Sequence, residues 1–199
     1  GIPIPEEYGG TGMDYQSYVL AVEEISKVCA STGVTISAHT SLCSWPIEVF
    51  GTEEQKQKYL PGLSSGELLG AFCADRAQCR YRFCHADDHC RGQGRLLLIK
   101  WKQNFHHKRL LRRCLRCICM TDKAAGNKGI SAFILEKGME GFTFGTKERK
   151  MGIRGSATYE LIFDDVKVPK ENLLGKEGQA LKSPWPRWTA DGSALRPRQ

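Results

Sequence analysis

Cysteine and histidine side chains concentrate in one stretch of this 199-residue chain. Six of the nine cysteines lie between Cys79 and Cys119. Thiolates and imidazoles are the usual zinc ligands, and two cysteines separated by two residues are a common zinc spacing. The residues in question are Cys84, His85, His89, Cys90, Cys114, Cys117 and Cys119. Two observations argue against a metal site. The pairs Cys84-His85 and His89-Cys90 are irregularly spaced, and two directly adjacent ligands such as Cys84 and His85 suit a tetrahedral site poorly.

The same stretch is strongly basic. Residues 74–119 hold 12 Lys or Arg and 3 Asp or Glu, a net +9, and residues 180–199 hold 4 and 1, a net +3. The rest of the chain holds 13 and 18, a net −5, so the total of +7 belongs to two patches. Arginine runs such as 108–116 can bind phosphate backbones. A zinc- or nucleic-acid-binding module built on 74–119 is therefore the alternative function, while the body of the chain predicts no nucleic-acid partner.

The elements before this stretch are predicted to be helical. Asp14 can cap a helix whose apolar positions step by three or four residues to Cys29, and Thr32 can cap a second helix. Pro46 suits the first turn of a third helix that ends at Gly51. Thr52 and Gln55 form a capping box, which opens a helix expected to stop at Leu60-Pro61.

Strands are predicted on either side of the basic stretch. Leu68 to Cys73 is a short apolar run, Ile130 to Leu135 is a plausible strand, and Glu140-Gly141 marks a turn. Tyr159, Leu161 and Phe163 alternate with polar or exposed positions, as in a half-buried strand. Between the halves, only Leu96 to Ile99 shows a usable pattern. In natural sequences, local propensities and hydrophobic patterning agree with the overall fold, so the loss of pattern in this stretch needs an explanation.

Three in-frame blocks resemble the acyl-CoA dehydrogenase family, most closely its bacterial short-chain, butyryl-CoA type. They are GIPIPEEYGGTGMDY at the start, FGTEEQKQKYLPGLSSGELLGAFC, and the block from MTDKAAGNKGISAFILEKG to MGIRGSATYELIFDDVKVPKENLLGKEGQ. The fold class implied is α+β, with the helical part of the N-terminal domain followed by an antiparallel β middle domain that is disrupted. The implied domains are 1–68 (N-terminal helical), 69–173 (β middle) and 174–199 (start of the C-terminal helical domain).

A shift of reading frame explains the broken segments. Codons can be chosen for ADRAQCRYR that, read one base later, encode LTEPNAGT, and the continuation to Cys119 likewise allows FITNG before it rejoins MTDK. Both are motifs of the family, in order. We infer one base gained near Cys73, one lost near Cys119 and one lost near Ala180. On this interpretation residues 74–119 and 180–199 are out of frame, and the cysteine, histidine and arginine content is a by-product.

The resemblance implies an FAD-dependent enzyme that removes an α-proton and a β-hydride from short-chain acyl-CoA thioesters. By position, the flavin contacts fall on Phe72, Cys73, Tyr81, Phe105, His106 and His107, with most side chains altered. The catalytic base is a Glu of the C-terminal domain beyond this chain, so no catalytic residue and no metal ligand is assigned. An internal fragment of this kind is expected to be inactive.

The resemblance also implies partners. These are the acyl-CoA substrate, an electron-transfer flavoprotein and further copies of the chain in a homo-oligomer. No apolar run is long enough to span a membrane, and a bacterial-type cytoplasmic location is expected. Cys29, Cys43 and Cys73 lie in apolar settings that suit reduced, buried thiols. Phe72 and Cys73 suit a strand core as well as a flavin contact, His39 suits a satisfied core histidine, and Lys150 to Arg154 suit an exposed structural loop.

Overall fold

The computed structural model describes residues 1–74, 89–93, 96–103, 114–120 and 129–178. Within these ranges four α-helices come first, followed by eight strands. The helices are α1 (Tyr15–Val28), α2 (Ala30–His39), α3 (Trp45–Phe50) and α4 (Glu53–Ser65). The strands are β1 (Gly70–Ala74), β2 (His89–Gln93), β3 (Leu96–Gln103), β4 (Cys114–Met120), β5 (Ile130–Glu136), β6 (Phe142–Lys147), β7 (Tyr159–Pro169) and β8 (Leu173–Leu174). None of the helices in these described ranges is long and apolar enough to cross a bilayer.

Helix starts follow the capping residues that the sequence predicts. The Asp14 carboxylate accepts the Ser17 N–H at 2.8 Å and begins α1. Thr52 and Gln55 bond reciprocally as a capping box at α4. Pro46 lies in the first turn of α3, and Gly51 caps its end. These three predictions are confirmed because each depends on contacts within one turn.

Two helix predictions are wrong. Thr32 does not cap α2, because Cys29 ends α1 and also begins α2 in an extended conformation, so the chain turns within one residue. Cys29 is consequently exposed rather than buried, whereas Cys43 is buried as predicted. Helix α4 does not stop at Pro61 but continues to Ser65, with Gly66 at φ 78° as its left-handed cap. The buried Leu60 and Leu63 flank Pro61 and hold that turn in the core.

The strands form two four-stranded sheets. One has the order β1-β4-β5-β8 and the other β2-β3-β7-β6. All pairings are antiparallel except β1 with β4, which are parallel. The expected antiparallel β domain is confirmed by the other pairings, and this one parallel pair is a feature that the sequence pattern does not predict. The chain leaves β1, builds β2 and β3 in the other sheet, and returns in the original direction, as a parallel crossover requires.

In the described parts of the basic stretch lie β2, β3 and most of β4, which the sequence pattern does not predict in full. Strand β3 contains the predicted Leu96–Ile99 run, but β2 and β4 carry no such signal. Each lies against a neighbour in register: β2 pairs with β3, and all seven residues of β4 pair with β5. Pairing partners rather than local pattern define these strands.

The β1-β4-β5-β8 sheet separates two cores. On the helical side, Ala132 and Ile134 of β5 pack with a cluster that includes Ile47, Leu60 and Leu63. On the other side, Phe133 and Leu135 pack with residues of the second sheet: Phe142, Leu161, Phe163, Val166 and Val168. The predicted alternation of Tyr159, Leu161 and Phe163 is confirmed, since all three are buried. The α+β class is therefore realised as three layers, helices on sheet on sheet.

Candidate functional site

Strand β1 carries the two predicted flavin contacts that fall within the described part of the chain. Phe72 and Cys73 occupy consecutive positions in β1, and Tyr81, Phe105, His106 and His107 lie outside the described residues. The Phe72 side chain is half-buried and packs against the helical-side core. The structure therefore gives Phe72 a core contact.

His39 fixes the start of β1 relative to the helices. Its Nδ1 accepts the Gly70 N–H at 2.8 Å, and its Nε2 lies 3.0 Å from the Leu63 carbonyl oxygen. Because Nδ1 is an acceptor and the carbonyl needs a donor, the ring is neutral with its proton on Nε2. His39 is buried. Its predicted role as a satisfied core histidine is confirmed.

Ser44 lies near His39 but does not form a nucleophile–base pair with it. The Ser44 hydroxyl donates to the His39 carbonyl at 3.1 Å and is 3.5 Å from Nε2. Nε2 already donates to Leu63, so it has no lone pair with which to accept the hydroxyl proton. Both side chains are also buried. A π-helical turn, Thr40–Ser44, places Ser44 here.

A second group of contacts joins α4 to the strands. The Gln55 side-chain amide donates to the carbonyls of Glu171 and Leu173 at 2.6 and 3.0 Å. The Tyr59 hydroxyl donates to Glu136 at 2.7 Å, and Lys58 bonds the same carboxylate oxygen at 2.8 Å. Burial, and then the bond to Glu136, raises the pKa of Tyr59 to about 12. The sequence indicates only the cap role of Gln55, because its contacts with Glu171 and Leu173 span over a hundred residues.

The loop from Lys150 to Ser156 is exposed at its central residues, 151–155, and is held by its own hydrogen bonds. The Lys150 ammonium donates to the Ser156 carbonyl, and Arg154 Nε donates to the Lys150 carbonyl at 3.3 Å. Partial burial, and then the nearby Lys147 charge, lower the pKa of Lys150. Met151 is fully exposed. These contacts match the structural loop that the sequence predicts for Lys150 to Arg154.

The cysteine- and histidine-rich stretch is divided between the two sheets. His89 and Cys90 are in β2, whereas Cys114, Cys117 and Cys119 are in β4 of the other sheet. Cys84 and His85 lie outside the described residues. Within the ranges that the structure describes, no group of three or more His, Cys, Asp or Glu residues could hold a metal ion.

Comparisons with known proteins agree with this arrangement of helices and strands. Residues 1–67 match the sequence profile of the acyl-CoA dehydrogenase N-terminal domain. The short-chain-specific acyl-CoA dehydrogenase of Clostridium acetobutylicum is 45% identical over 195 residues, which are 98% of this chain and 51% of that protein. Over the length that it spans, the chain is similar to members of the acyl-CoA dehydrogenase family. It spans about half the length of the curated relatives it matches.

Solved structures give the same result. The butyryl-CoA dehydrogenase of Megasphaera elsdenii superimposes with a TM-score of 0.88 at 43% identity, over 92% of this chain and 49% of that chain. A chain from a structure of the electron transferring flavoprotein of Acidaminococcus fermentans gives 0.88 at 49% identity, over 92% and 48%. The Bacillus anthracis acyl-CoA dehydrogenase complexed with FAD gives 0.81 at 35%, over 90% and 30%.

Family members bind FAD, but the residues of this chain do not fit a flavin at the corresponding strand. The resemblance implies hydroxyl donors in the loop after β1, yet residues 74–81 contain neither Ser nor Thr. Phe72, the first of the implied contacts, packs against the helical-side core. No catalytic step is therefore derived through the flavin for this chain.

Proposed function

We propose that this chain is part of an FAD-dependent dehydrogenase that forms a double bond between the α and β carbons of short-chain, butyryl-CoA-like acyl-CoA thioesters. The 45% identity to a short-chain-specific enzyme over 195 residues carries the proposal. The chain would supply the helical layer and the two β-sheets against which the flavin and thioester lie in an intact enzyme. The proposed domains are 1–68, 69–173 and 174–199.

The 199-residue polypeptide itself is proposed to be inactive. Residues 74–81 contain neither Ser nor Thr, with Tyr81 in place of a small hydroxyl residue, and Phe105-His106-His107 replaces the implied ring-covering segment. The implied Glu base belongs to a C-terminal domain, and the chain spans about half of its relatives. General-base catalysis alone contributes roughly 10² to 10⁴-fold, so a missing base removes proton abstraction at a useful rate.

Three further assignments belong to the intact enzyme. Its partners are proposed to be the acyl-CoA substrate and an electron-transfer flavoprotein, since a chain from a structure of such a flavoprotein superimposes closely on this one. It is proposed to assemble as a homo-oligomer in the bacterial cytoplasm. Copurification of the intact enzyme with the flavoprotein, which fails if the partner assignment is wrong, tests the first of these.

FAD titration tests the proposal for the chain. Flavin fluorescence is followed at about 0.15 M salt, where exposed charges are screened over ~8 Å, and butyryl-CoA is then added. We expect weak binding that fades with salt, and no bleaching. Stoichiometric, salt-resistant binding followed by bleaching contradicts the inactivity. A zinc content near one per chain without flavin instead favours the metal module.

A frame-restored chain is the matched control. In it, residues 74–119 are replaced by the sequence read one base later, beginning LTEPNAGT, and all other residues are kept. The restored hydroxyl donors should tighten FAD binding relative to the original chain under identical salt. Equal FAD binding by both chains would show that residues 74–119 do not determine the affinity for flavin, and would remove the structural basis of the proposal.

Resequencing the coding DNA tests the frame interpretation directly. We expect single-base changes near the codons for Cys73, Cys119 and Ala180 relative to an intact reading frame. If the coding DNA shows no such single-base changes when it is aligned with related intact genes, the basic segment is a genuine sequence. The family assignment rests on the in-frame blocks and survives either result.

A further inference from the structure

Glu48 of α3 carries a carboxyl oxygen that the fold leaves without a partner. Its Oε2 atom is buried and has no hydrogen-bond donor among the residues that the structure describes. The neighbouring Ile47 is fully buried in the helical-side core, so the backbone that carries Glu48 is held in place. A buried oxygen with no donor costs far less in a neutral carboxyl than in a carboxylate. The surroundings of Oε2 therefore disfavour the charged form of Glu48.

Two ionisable side chains from other helices interact with Glu48. Burial, and then the charge of Glu48, raise the pKa of Tyr15 in α1 to about 12. Lys56 of α4 favours the charged form of Glu48, but its ammonium also lies 3.9 Å from the Glu53 carboxylate. On the π-helical turn, against which α3 packs, the ionisable side chain is Cys43, and it lies on the side of β1. Glu48 is thus left with one shared cation.

The protonation of Glu48 is therefore linked to folding. Burial outweighs the Lys56 charge and raises the pKa of Glu48 above its ordinary value of 4.5, so the unfolded chain releases this proton at a lower pH than the folded chain does. The contribution of Glu48 to the free energy of unfolding consequently falls as the pH rises from the ordinary pKa through the raised one. Asp14 shows the opposite direction, because hydrogen bonds from Ser17 lower its pKa.

We propose that Glu48 is a proton-controlled latch: its neutral carboxyl lets α3 lie closed against α4 and the π-helical turn, and its ionisation loosens α3 and that turn. The turn carries Cys43, whose side chain is fully buried against Gly70, the first residue of β1. At the same junction His39 accepts the Gly70 N–H. Loosening of α3 is therefore transmitted to the contact between the helical layer and β1.

Protection of the Cys43 thiol measures the opening of this region. The full chain, Glu48→Gln and Glu54→Gln are treated with 4,4′-dithiodipyridine, a thiol reagent that works in mild acid, and labelling of Cys43 is followed by mass spectrometry. The pH runs from about 4 to 8, which brackets the ordinary and the raised pKa of a glutamate. Comparing chains at one pH cancels the pH dependence of the thiol and of the reagent. Glu54, an exposed glutamate of α4, provides the matched control.

The latch predicts a ratio of labelling rates that changes with pH. At about pH 4, where the carboxyl is protonated in every state of the chain, the parent and Glu48→Gln should label Cys43 at similar rates. At about pH 7 the parent should label roughly fivefold faster, the lower end of the effect of an unpaired buried polar atom. Glu54→Gln should match the parent throughout.

A ratio that stays constant with pH overturns the proposal, and so does an equal effect of Glu48→Gln and Glu54→Gln. Glu48→Ala, which removes the carboxyl and adds no polar atom, is measured in parallel and should lose the same pH-dependent part of the labelling rate. Loss of the fold in both Glu48 variants, followed by circular dichroism, also contradicts the latch, because removing a destabilising charge does not unfold a chain. FAD is absent throughout, so the outcome does not depend on the proposed function.

Discussion

Gly70→Ala tests the junction at which the helical layer positions β1. A Cβ at Gly70 would lie 2.6 Å from Cys43 Cβ, 2.7 Å from Cys43 Sγ and 3.2 Å from His39 Nδ1. The first two distances are shorter than real side-chain contacts allow, so β1 or the π-helical turn that carries Cys43 must move. Either movement also strains the hydrogen bond from Gly70 N–H to His39. We expect the substitution to destabilise the fold.

The expected cost follows from three terms. Overpacking a tight core costs about 1 to 3 kcal/mol. Loss of the hydrogen bond to His39 adds about 1 kcal/mol. Replacing glycine stiffens the unfolded chain and returns about 0.4 to 1 kcal/mol. The net is about 2 kcal/mol, a melting point lower by about 6 °C for a domain of this size.

Urea denaturation followed by circular dichroism measures this cost. Gly152→Ala is the matched control, because no atom lies within 4 Å of its added Cβ and its φ is not positive. In a Cys43→Gly background the two closest contacts are gone, so the cost of Gly70→Ala should fall by more than half. Equal effects of Gly70→Ala and Gly152→Ala, or no rescue by Cys43→Gly, would refute the reasoning.

Three further predictions concern individual groups and the basic segment. Hydrogen bonds from the Thr32 hydroxyl, and then from its N–H, lower the pKa of Cys29. Thr32→Val should therefore raise the pH at which Cys29 is half-alkylated, as followed by mass spectrometry. An unchanged pH of half-alkylation contradicts this. The raised pKa of Tyr59 favours the neutral phenol in the fold, so the free energy of unfolding should fall as pH rises from about 10 to 12, and less steeply in Tyr59→Phe. Among the described residues the pKa is also raised for Tyr8, Tyr15 and Tyr18, so Tyr59→Phe should remove only part of the slope in urea titrations; an identical slope counts against it. In hydrogen–deuterium exchange, the backbone amides of β3, which is paired on both sides, should exchange more slowly than those of β2, which lies at the sheet edge. Uniformly fast exchange would support the disrupted middle domain that the sequence predicts.

Local signals predicted most of the helical layer. Asp14 and the Thr52–Gln55 box act within one turn, so the sequence contains all the atoms that matter. The failures involve tertiary contacts: α4 passes through Pro61 because Leu60 and Leu63 are anchored in the core. The π-helical turn at Thr40–Ser44 is not predicted either, because the extra residue in this turn is not marked by any characteristic residue type in the sequence.

The candidate site was predicted less completely than the fold. His39 was identified as structural from its apolar surroundings, but its partners Gly70 and Leu63 are set by the packing of β1 on the helices. The joining role of Gln55 was missed for the same reason, because Glu171 and Leu173 are distant in sequence. The sequence shows only that the side chains of His39 and Gln55 can form hydrogen bonds, and does not identify their partners.

The strands within 74–119 show how neighbours can define an element whose own sequence does not. Strand β7 carries the buried alternation that sets the register of β3, and β5 does the same for β4. A one-residue slip would place the opposite set of side chains on each face. On the frame interpretation, nothing in the pattern of these strands' own residues opposes such a slip, so their register is imposed by the neighbouring strands rather than by local sequence.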